Sequence, residues 1–339
     1  MATNVWFWIL FNLFVVGMLA LDLGVFNRKA HRVGVKEALG WSVFWISLAL
    51  LFDLGLYIFA GQKVALEFLG GYLLEKSLSV DNIFVFVMIF TYFATPAEYQ
   101  HRVLYWGILT ALVLRGIMIL SGAALIARFE FLIAAFGVLL IVTAFRMFQS
   151  DDEAVDLERN WVVRGVRKFM PITDDYRGTR FTVVENGIRL LTPLTLVLLV
   201  VETSDVIFAL DSIPAVFGIT TDPFIVYTSN VFAILGLRSL YFLLAGVVDK
   251  FHYLKTGLAI ILALVGAKMV TEVASEYLMA EPIHVPIQWS LAVIFAILGG
   301  SIALSLLFPQ PEPALAVVTA EPTAEGIIAA KEELAQVDA

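Results

Sequence analysis

The sequence has 339 residues, of which 60% are hydrophobic and 15% are charged, with a formal net charge of −8 and no cysteine. Soluble globular proteins contain roughly 45–50% apolar and about 25% charged residues, so this composition indicates a chain whose surface faces lipid. The acidic charge argues against a nucleic-acid partner, and the lack of cysteine excludes disulfides, thiolate catalysis and thiolate metal sites. We therefore expect a multi-pass protein of the inner (plasma) membrane.

Nine apolar segments are long enough to cross a bilayer, which takes about 20 residues per helix. The predicted fold is an all-α membrane domain over residues 1–308, followed by a disordered cytoplasmic tail over 309–339 that is rich in Pro, Ala and Glu. The nine segments lie at 4–26, 38–60, 66–93, 102–127, 129–149, 190–218, 224–248, 254–274 and 286–308.

Basic residues are concentrated on one side of these segments. The connections that follow odd-numbered spans carry 15 Lys and Arg residues, and those that follow even-numbered spans carry two, Lys63 and Arg128. Because cytoplasmic loops are enriched in Lys and Arg, the N-terminus is predicted to lie outside and the C-terminus inside. The segment 150–189 is then a cytoplasmic loop and a candidate docking surface for a partner.

Spans three to five and six to eight resemble each other in the order and spacing of their charges. The first unit covers about 66–149 and the second about 190–275, and a final helix follows at 286–308. Because each unit has three spans, the second unit runs in the opposite direction, as in the inverted-topology repeats of secondary transporters. The matched positions are Glu75 with Glu202, Asp81 with Asp211, Arg115 with Arg238 and Arg146 with Lys268.

Seven acidic and four basic residues fall inside the predicted spans. Each ionised acid costs about 2.5–3.5 kcal/mol at the bilayer centre, and ion pairing with the four bases leaves three negative charges in excess. The excess predicts a bound cation, protonated carboxyl groups or both, while Arg115, Arg238 and Lys268 are interpreted as structural or gating charges. The acids are Asp22, Asp53, Glu75, Asp81, Glu202, Asp205 and Asp211, and the bases are Lys76, Arg115, Arg238 and Lys268.

Helical spacing brings only some of these acids together. With about 100° between successive residues, Glu202 and Asp205 share a face, whereas Asp211 lies about 180° from Glu202. Pro214 removes one backbone hydrogen bond, so we expect a break around 211–214 that turns Asp211 towards the other acids, with a simple kink as the alternative. All four histidines lie in loops or at span ends, so the buried ligands are oxygens. Oxygen ligands favour Mg²⁺, Ca²⁺ or Mn²⁺ over Cu⁺ or Zn²⁺.

Three stretches carry a pattern that resembles the TerC family of integral membrane proteins. EKSLSVDNIF at 75–84 is similar to its first signature, ETSDVIFALDSIPA at 202–215 to its second and TSNVFAILGLRSLYF at 228–242 to a third. Residues 169–192 resemble the Alx-type subgroup in particular. The resemblance implies a helical-bundle transporter of the LysE-like superfamily. It also implies a metal site at Glu75, Asp81, Glu202, Asp205 and Asp211, with Asn82 and Ser212 adjacent. Asp22 and Asp53, which also fall within predicted spans, are interpreted as accessory acids.

The resulting hypothesis is an exporter of Mn²⁺, driven by proton antiport or by the membrane potential. Mn²⁺ is then the transported substrate, and no cofactor is permanently bound. The alternatives are a carrier of another cation, such as Ca²⁺ or Mg²⁺, and a non-transport scaffold in envelope or tellurium stress. Tellurite fits poorly, because an oxyanion needs basic groups or helix N-termini and the excess here is acidic.

We expect no enzymatic activity. The Gly-x-Gly-Asp element of intramembrane aspartyl proteases does not occur in the sequence. The expected partners besides the metal ion are membrane lipid and, in a homo-oligomer, further copies of the chain.

The predicted orientation can be checked by cysteine labelling, because the chain has no cysteine of its own. A cysteine introduced as Asn160→Cys should be protected from a membrane-impermeant maleimide in intact cells, since 150–189 is predicted to be cytoplasmic. It should react once the membrane is permeabilised. Labelling in intact cells would refute the orientation.

Overall fold

The computed structural model describes residues 5–21, 34–129, 131–149, 165, 171–185, 187–245, 251–279 and 283–308. Within these ranges the chain forms ten helices and one antiparallel two-stranded sheet. In chain order the elements are α1 (Val5–Leu21), α2 (Val35–Ala60), α3 (Gln62–Tyr92), α4 (Ala97–Arg128), α5 (Phe131–Gln149), β1 (Thr182–Glu185), β2 (Ile188–Leu191), α6 (Pro193–Phe217), α7 (Pro223–Leu235), α8 (Leu237–Leu244), α9 (His252–Leu278) and α10 (Ile287–Leu307).

Among the described residues, six helices are long and apolar enough to cross a membrane: α2, α4, α5, α6, α9 and α10. The pair α7 and α8, which bends by 42° around Gly236, makes a seventh if it is one span. α1 has only 17 residues, and α3 carries several charges along its length. A helix overlaps each of the nine predicted segments, so the helical membrane fold is confirmed. The number of nine spans and their orientation stay predictions.

Large apolar side chains cover the outside of the helices. Phe59 and Leu278 are 88% and 82% exposed, and Leu13, Val113 and Phe145 also face outwards. Such a surface is stable in lipid, where the helical backbone satisfies its own hydrogen bonds and apolar side chains need no burial. The protein is therefore a multi-pass integral membrane protein.

Four helices pack around a common centre: α3, α4, α6 and α7. Gly71 permits the closest part of this packing, because a Cβ atom there would lie 2.7 Å from Ser229 Oγ and 3.0 Å from Val216 Cγ1. Gly71 lies one turn before Glu75 on α3. Its lack of a side chain therefore brings the polar stretch of α3 directly against α6 and α7.

α5 and α9 share the most extensive helix–helix contact of the bundle. Their backbones meet at Gly137 and Gly266, where a Cβ on either residue would lie 2.7 or 2.5 Å from the carbonyl oxygen of the other. Ala144 and Ala259 are also buried. Gly137 in the first unit corresponds to Ala259 in the second, and Ala144 corresponds to Gly266, each at a separation of 122 residues. Arg146 and Lys268, the charges matched in the predicted repeat, have the same separation. The opposite direction of the two units stays a prediction.

The break predicted at 211–214 is wrong. α6 continues to Phe217 with Pro214 inside the helix, and Gly218 N donates a 3.0 Å hydrogen bond to Pro214 O. Pro214 is buried among neighbouring helices, and helices in membranes tolerate proline where tertiary contacts hold them in place. Asp211 therefore keeps the direction that a regular helix gives it.

Strands β1 and β2 form a hairpin that begins in the predicted loop 150–189. Glu185 pairs with Ile188, and Gly187 has a φ of +77°. The sequence at 186–187 is Asn-Gly. Asn-Gly between apolar runs is the strongest short signal for a hairpin, and the sequence interpretation missed it. The hairpin takes residues 188–191, so the sixth helix begins at Pro193 and not at 190.

A segment just before the hairpin is tied to the end of α3. Tyr176 OH donates a 2.8 Å hydrogen bond to Phe93 O and lies 3.1 Å from Thr95 Oγ1. Burial raises the pKa of the Tyr176 phenol above its ordinary value, and the contact with Thr95 lowers it by a smaller amount. The phenol is therefore protonated and available as a donor at neutral pH. Most of 150–170, and the tail 309–339, lie outside the described residues.

The α5–α9 contact predicts opposite effects for two Gly→Ala substitutions. Gly266→Ala puts a methyl group against a backbone carbonyl, and overpacking of this kind costs about 1–3 kcal/mol. Gly300→Ala on α10 meets no atom within 4 Å and should be neutral or stabilising by about 0.5–1 kcal/mol, because alanine is the better helix former. Melting temperatures of the purified variants in detergent would measure both effects. Equal stability of the two variants would contradict the close contact.

Candidate functional site

Arg115 of α4 lies at the centre of a buried ion cluster. Its Nε and Nη2 atoms donate to the two carboxylate oxygens of Asp205 at 3.2 and 2.8 Å, and Nη1 donates to Glu75 Oε1. The three side chains come from α4, α6 and α3, and each residue is at most 5% exposed. The planar fork of arginine matches a carboxylate in two-point contact, so Arg115 fixes the position of α6 relative to α4.

Two neutral side chains complete the cluster. Nη1 of Arg115 also lies 3.0 Å from Asn230 Oδ1 and 3.4 Å from Ser212 Oγ. The amide nitrogen of Asn230 in turn donates a 3.2 Å hydrogen bond to Glu75 Oε2. Asn230 therefore links the base to one of its acids and ties α7 to the same centre. A buried polar network of this kind is stable only while its members remain paired.

Glu202 lies one turn before Asp205 on α6 and extends the cluster. The two acids line one small cleft together with Gly107 and Ala111 of α4. The Oε2 atom of Glu202 is buried and has no hydrogen-bond partner among the described residues. Glu202 thus adds a third carboxyl group near a single guanidinium. With all three carboxyl groups ionised, Glu75, Asp205, Glu202 and Arg115 together carry two negative charges in excess.

Lys76, next to Glu75 on α3, reaches the bend between α7 and α8. Its Nζ donates a 3.3 Å hydrogen bond to Ala233 O in the last turn of α7. A Cβ at Gly236 would lie 2.7 Å from this nitrogen, so a side chain at the bend would displace the lysine from its position. A positive charge at the C-terminal end of a helix interacts favourably with its dipole, and Lys76 therefore stabilises the end of α7 inside the bundle.

The other two bases lie away from the cluster. Lys268 on α9 donates a 3.0 Å hydrogen bond to Gly218 O at the end of α6 and is 3.8 Å from Glu272. Arg238 on α8 lies 3.2 Å from His101 Nε2 and borders a shallow cleft with Glu37. Arg115 thus pairs with two acids of the bundle, Lys268 contacts the end of α6, and Arg238 lies beside His101.

The remaining predicted ligands are spread over the bundle. Asp211 points towards α5, where Thr143 Oγ1 donates a 2.8 Å hydrogen bond to its carboxylate. Asp81 is half-buried on α3, and its neighbour Asn82 is buried. Asp53 is half-buried on α2, and Asp22 lies outside the described residues. In the part of the chain that the structure describes, no three Asp, Glu or His side chains are grouped closely enough to hold a metal ion.

The sequence interpretation missed two residues of this region. Asn230 bridges Arg115 and Glu75, and Thr143 donates to Asp211. A signal for Asn230 was present, because an amide within a fully apolar span is costly unless it meets a polar partner. Thr143 carried no such signal, since threonine inside a helix can donate to its own backbone.

A polytopic helical bundle with an ion cluster among four of its helices is thus the class of protein that the fold and the site define. The chain belongs to the integral membrane protein TerC family, whose profile matches residues 60–312. The matched range includes Arg115 and the four residues that it contacts, Glu75, Asp205, Ser212 and Asn230.

Several bacterial relatives are similar over most of their length. A protein of Myxococcus xanthus named "Uncharacterized membrane protein STKORF319" is 53% identical over 306 residues, which cover 90% of this chain and 93% of the relative. A protein of Escherichia coli K12 named "Putative membrane-bound redox modulator Alx" is 47% identical over 297 residues, 85% of this chain and 90% of the relative. No solved structure matches the chain.

The cluster predicts different stabilities for two Glu→Gln variants in metal-free protein. Glu75→Gln removes a carboxylate that is hydrogen-bonded to a guanidinium, and such a bond contributes about 1.5–3 kcal/mol. Glu202→Gln removes a carboxylate whose Oε2 atom has no hydrogen-bond partner among the described residues and which lies near other acids. The stability of this variant should therefore be unchanged or higher. Thermal unfolding of both variants in detergent with EDTA tests the difference. An equal loss of stability would mean that Glu202 is held as firmly as Glu75.

Proposed function

We propose that this protein is a transporter that exports a divalent metal cation, with Mn²⁺ as its substrate. The observation that carries the proposal is the buried group of Glu75, Asp205 and Arg115, with Glu202 one helical turn from Asp205 in the same cleft. Its two excess negative charges match the charge of one divalent cation. Ionisable residues within a membrane bundle are costly, and they mark ion pathways in proteins that carry ions.

The chemistry of the cluster supports the choice of metal. Carboxylate, amide and hydroxyl oxygens surround the Arg115 guanidinium, and the sequence has no cysteine. Hard divalent cations such as Mg²⁺, Ca²⁺ and Mn²⁺ prefer such ligands, while Cu⁺ prefers thiolate and thioether sulfur. The choice of Mn²⁺ within this group follows the family resemblance. The experiment must therefore compare Mn²⁺ directly with Ca²⁺ and Mg²⁺.

The arrangement of the bundle also supports the proposal of a carrier. The cluster lies where helices of the two sequence-related units meet, α3 and α4 from one and α6 and α7 from the other. The matched small residues on α5 and α9 agree with a repeat of two similar units. Transporters built from inverted repeats bind their substrates at such an interface.

The acids outside the cluster are assigned to the route of the ion and not to its central site. Asp211 lies between α6 and α5, and Asp81 lies on α3 two turns beyond Glu75. Asp53 and Asp22 come earlier in the chain and serve as accessory acids in this proposal. Asn82 follows Asp81 and provides a further oxygen atom, whereas Ser212 Oγ belongs to the cluster around Arg115.

The name of the Escherichia coli relative describes a redox modulator, and this raises a second class of function. Thiol–disulfide exchange by this sequence is excluded, because it contains no cysteine. A cation carrier could influence cellular redox state indirectly through the metal that it moves. We therefore keep metal export as the proposed activity.

The test is Mn²⁺ accumulation in cells that lack their own Mn²⁺ exporters. Expression of the wild-type protein should lower cellular Mn²⁺ after a Mn²⁺ load, and Glu202→Gln should lose most of this effect because the site loses one of its two excess charges. Parallel loads of Ca²⁺ and Mg²⁺ measure selectivity.

Glu98→Gln is the matched control, since Glu98 is exposed in the first turn of α4, outside the cluster. This variant should export Mn²⁺ like the wild type at equal membrane expression. Unchanged Mn²⁺ levels on expression of the wild-type protein would overturn the proposed function. Lowered Ca²⁺ or Mg²⁺ with unchanged Mn²⁺ would reassign the substrate.

A further inference from the structure

We infer that Arg115 is an internal substitute for the transported cation: it fills the empty site and moves to Glu202 when the metal binds. This inference rests on the function proposed above and adds the way in which the site is kept filled between transport steps. The sequence interpretation predicted both Asp205 and Glu202 as metal ligands. In this inference Asp205 is a metal ligand, and Glu202 is the acceptor of the displaced arginine.

The first observation is the set of atoms around the guanidinium. Five oxygens lie within hydrogen-bonding distance of Arg115: Glu75 Oε1, both carboxylate oxygens of Asp205, Ser212 Oγ and Asn230 Oδ1. Two carboxylates, an amide oxygen and a hydroxyl are also the ligand types that a hard divalent cation takes in proteins. The guanidinium thus lies at the point where these oxygens converge, and a metal ion cannot reach that point while Arg115 occupies it.

The second observation is a nearby acceptor with unused capacity. Glu202 Oε2 is buried without a hydrogen-bond partner among the described residues, one helical turn from Asp205. The cleft that contains both acids is bordered on α4 by Gly107 and Ala111, which precede Arg115 by two turns and one turn. The exchange therefore requires the arginine side chain to swing along this face of α4, from Asp205 towards Glu202, past two positions with small side chains.

The charges balance in the loaded state. With Arg115 between Glu75 and Asp205, that group carries one negative charge and Glu202 carries another. When a divalent cation replaces the guanidinium, the metal neutralises Glu75 and Asp205, and Arg115 neutralises Glu202. The exchange leaves no buried charge uncompensated, whereas the departure of Arg115 without a metal would leave two adjacent carboxylates without a counter-ion.

The exchange makes Arg115 a competitor of the metal. The measured affinity of a site is lowered by the fraction of molecules in which the site is free to bind. If Arg115 leaves the site in about one-tenth of the molecules, its removal should tighten Mn²⁺ binding about tenfold. A purely structural Arg115 predicts the reverse, because its loss would distort the ligands and weaken binding.

The test is a double-mutant cycle on full-length protein in detergent. Mn²⁺ binding is measured as the decrease in the electron paramagnetic resonance signal of free Mn²⁺. Arg115→Met should bind Mn²⁺ about tenfold more tightly than the wild type. Glu202→Gln should bind more weakly, because the displaced arginine has no acceptor. Arg115→Met combined with Glu202→Gln should bind as Arg115→Met does, since no arginine remains to be displaced.

The control is Arg177→Met, which removes an exposed arginine that pairs with Glu185 far from the cluster and should leave Mn²⁺ binding unchanged. If Arg115→Met does not fold, Arg115→Lys replaces it in the cycle. Lysine keeps the charge but cannot make the two-point contact with Asp205, so Mn²⁺ should bind more tightly than to the wild type. Weaker binding by either Arg115 variant overturns the inference.

Two further outcomes separate this inference from the proposed function. If Glu202→Gln weakens Mn²⁺ binding equally with and without Arg115, Glu202 is itself a ligand, and the exchange is wrong while the transporter stands. If neither the wild type nor any variant binds Mn²⁺, and wild-type cells show no Mn²⁺ export, the proposed function fails and the inference fails with it.

Discussion

The burial of one guanidinium organises the centre of this protein. An arginine side chain keeps its charge in a folded protein, and inside a bilayer such a charge is tolerable only beside acids. Arg115 meets this requirement with Glu75 on α3 and Asp205 on α6, and Asn230 on α7 completes the contacts. Four helices must therefore meet at one depth, and the glycine at position 71 allows them to approach closely enough to do so.

Two lysines repeat this principle at helix ends. Lys76 donates to a carbonyl in the last turn of α7, and Lys268 donates to the carbonyl that follows α6. The last carbonyls of a helix lack partners within the helix and carry partial negative charge. These bases of the bundle thus contact either carboxylates or the carbonyl oxygens at helix ends. A few bases can therefore stabilise both the buried acids and several buried helix ends.

Much of the fold could be predicted from the sequence because hydropathy reports directly on the contact with lipid. The predicted apolar segments overlap the helices, and Glu75, Arg115 and Asp205 lie on α3, α4 and α6. Pro214 was misinterpreted, because the rule that proline interrupts a helix neglects the packing around Pro214, and α6 continues past it. The predicted grouping of the acids depended on that break, and without it the regular helix directs Asp211 to α5. The pairing of Arg115 with two particular acids depends on contacts between distant helices, which local spacing does not determine.

The contact between Lys76 and Gly236 ties the amino-acid choices at two positions 160 residues apart. The ammonium group occupies part of the space that a side chain at 236 would need, and Trp45 Cβ borders the same space at 3.2 Å. A residue larger than glycine at 236 would therefore push the ammonium group away from the end of α7. The charge that stabilises this helix end thus depends on the lack of a side chain at the bend, so the two positions should change together during divergence.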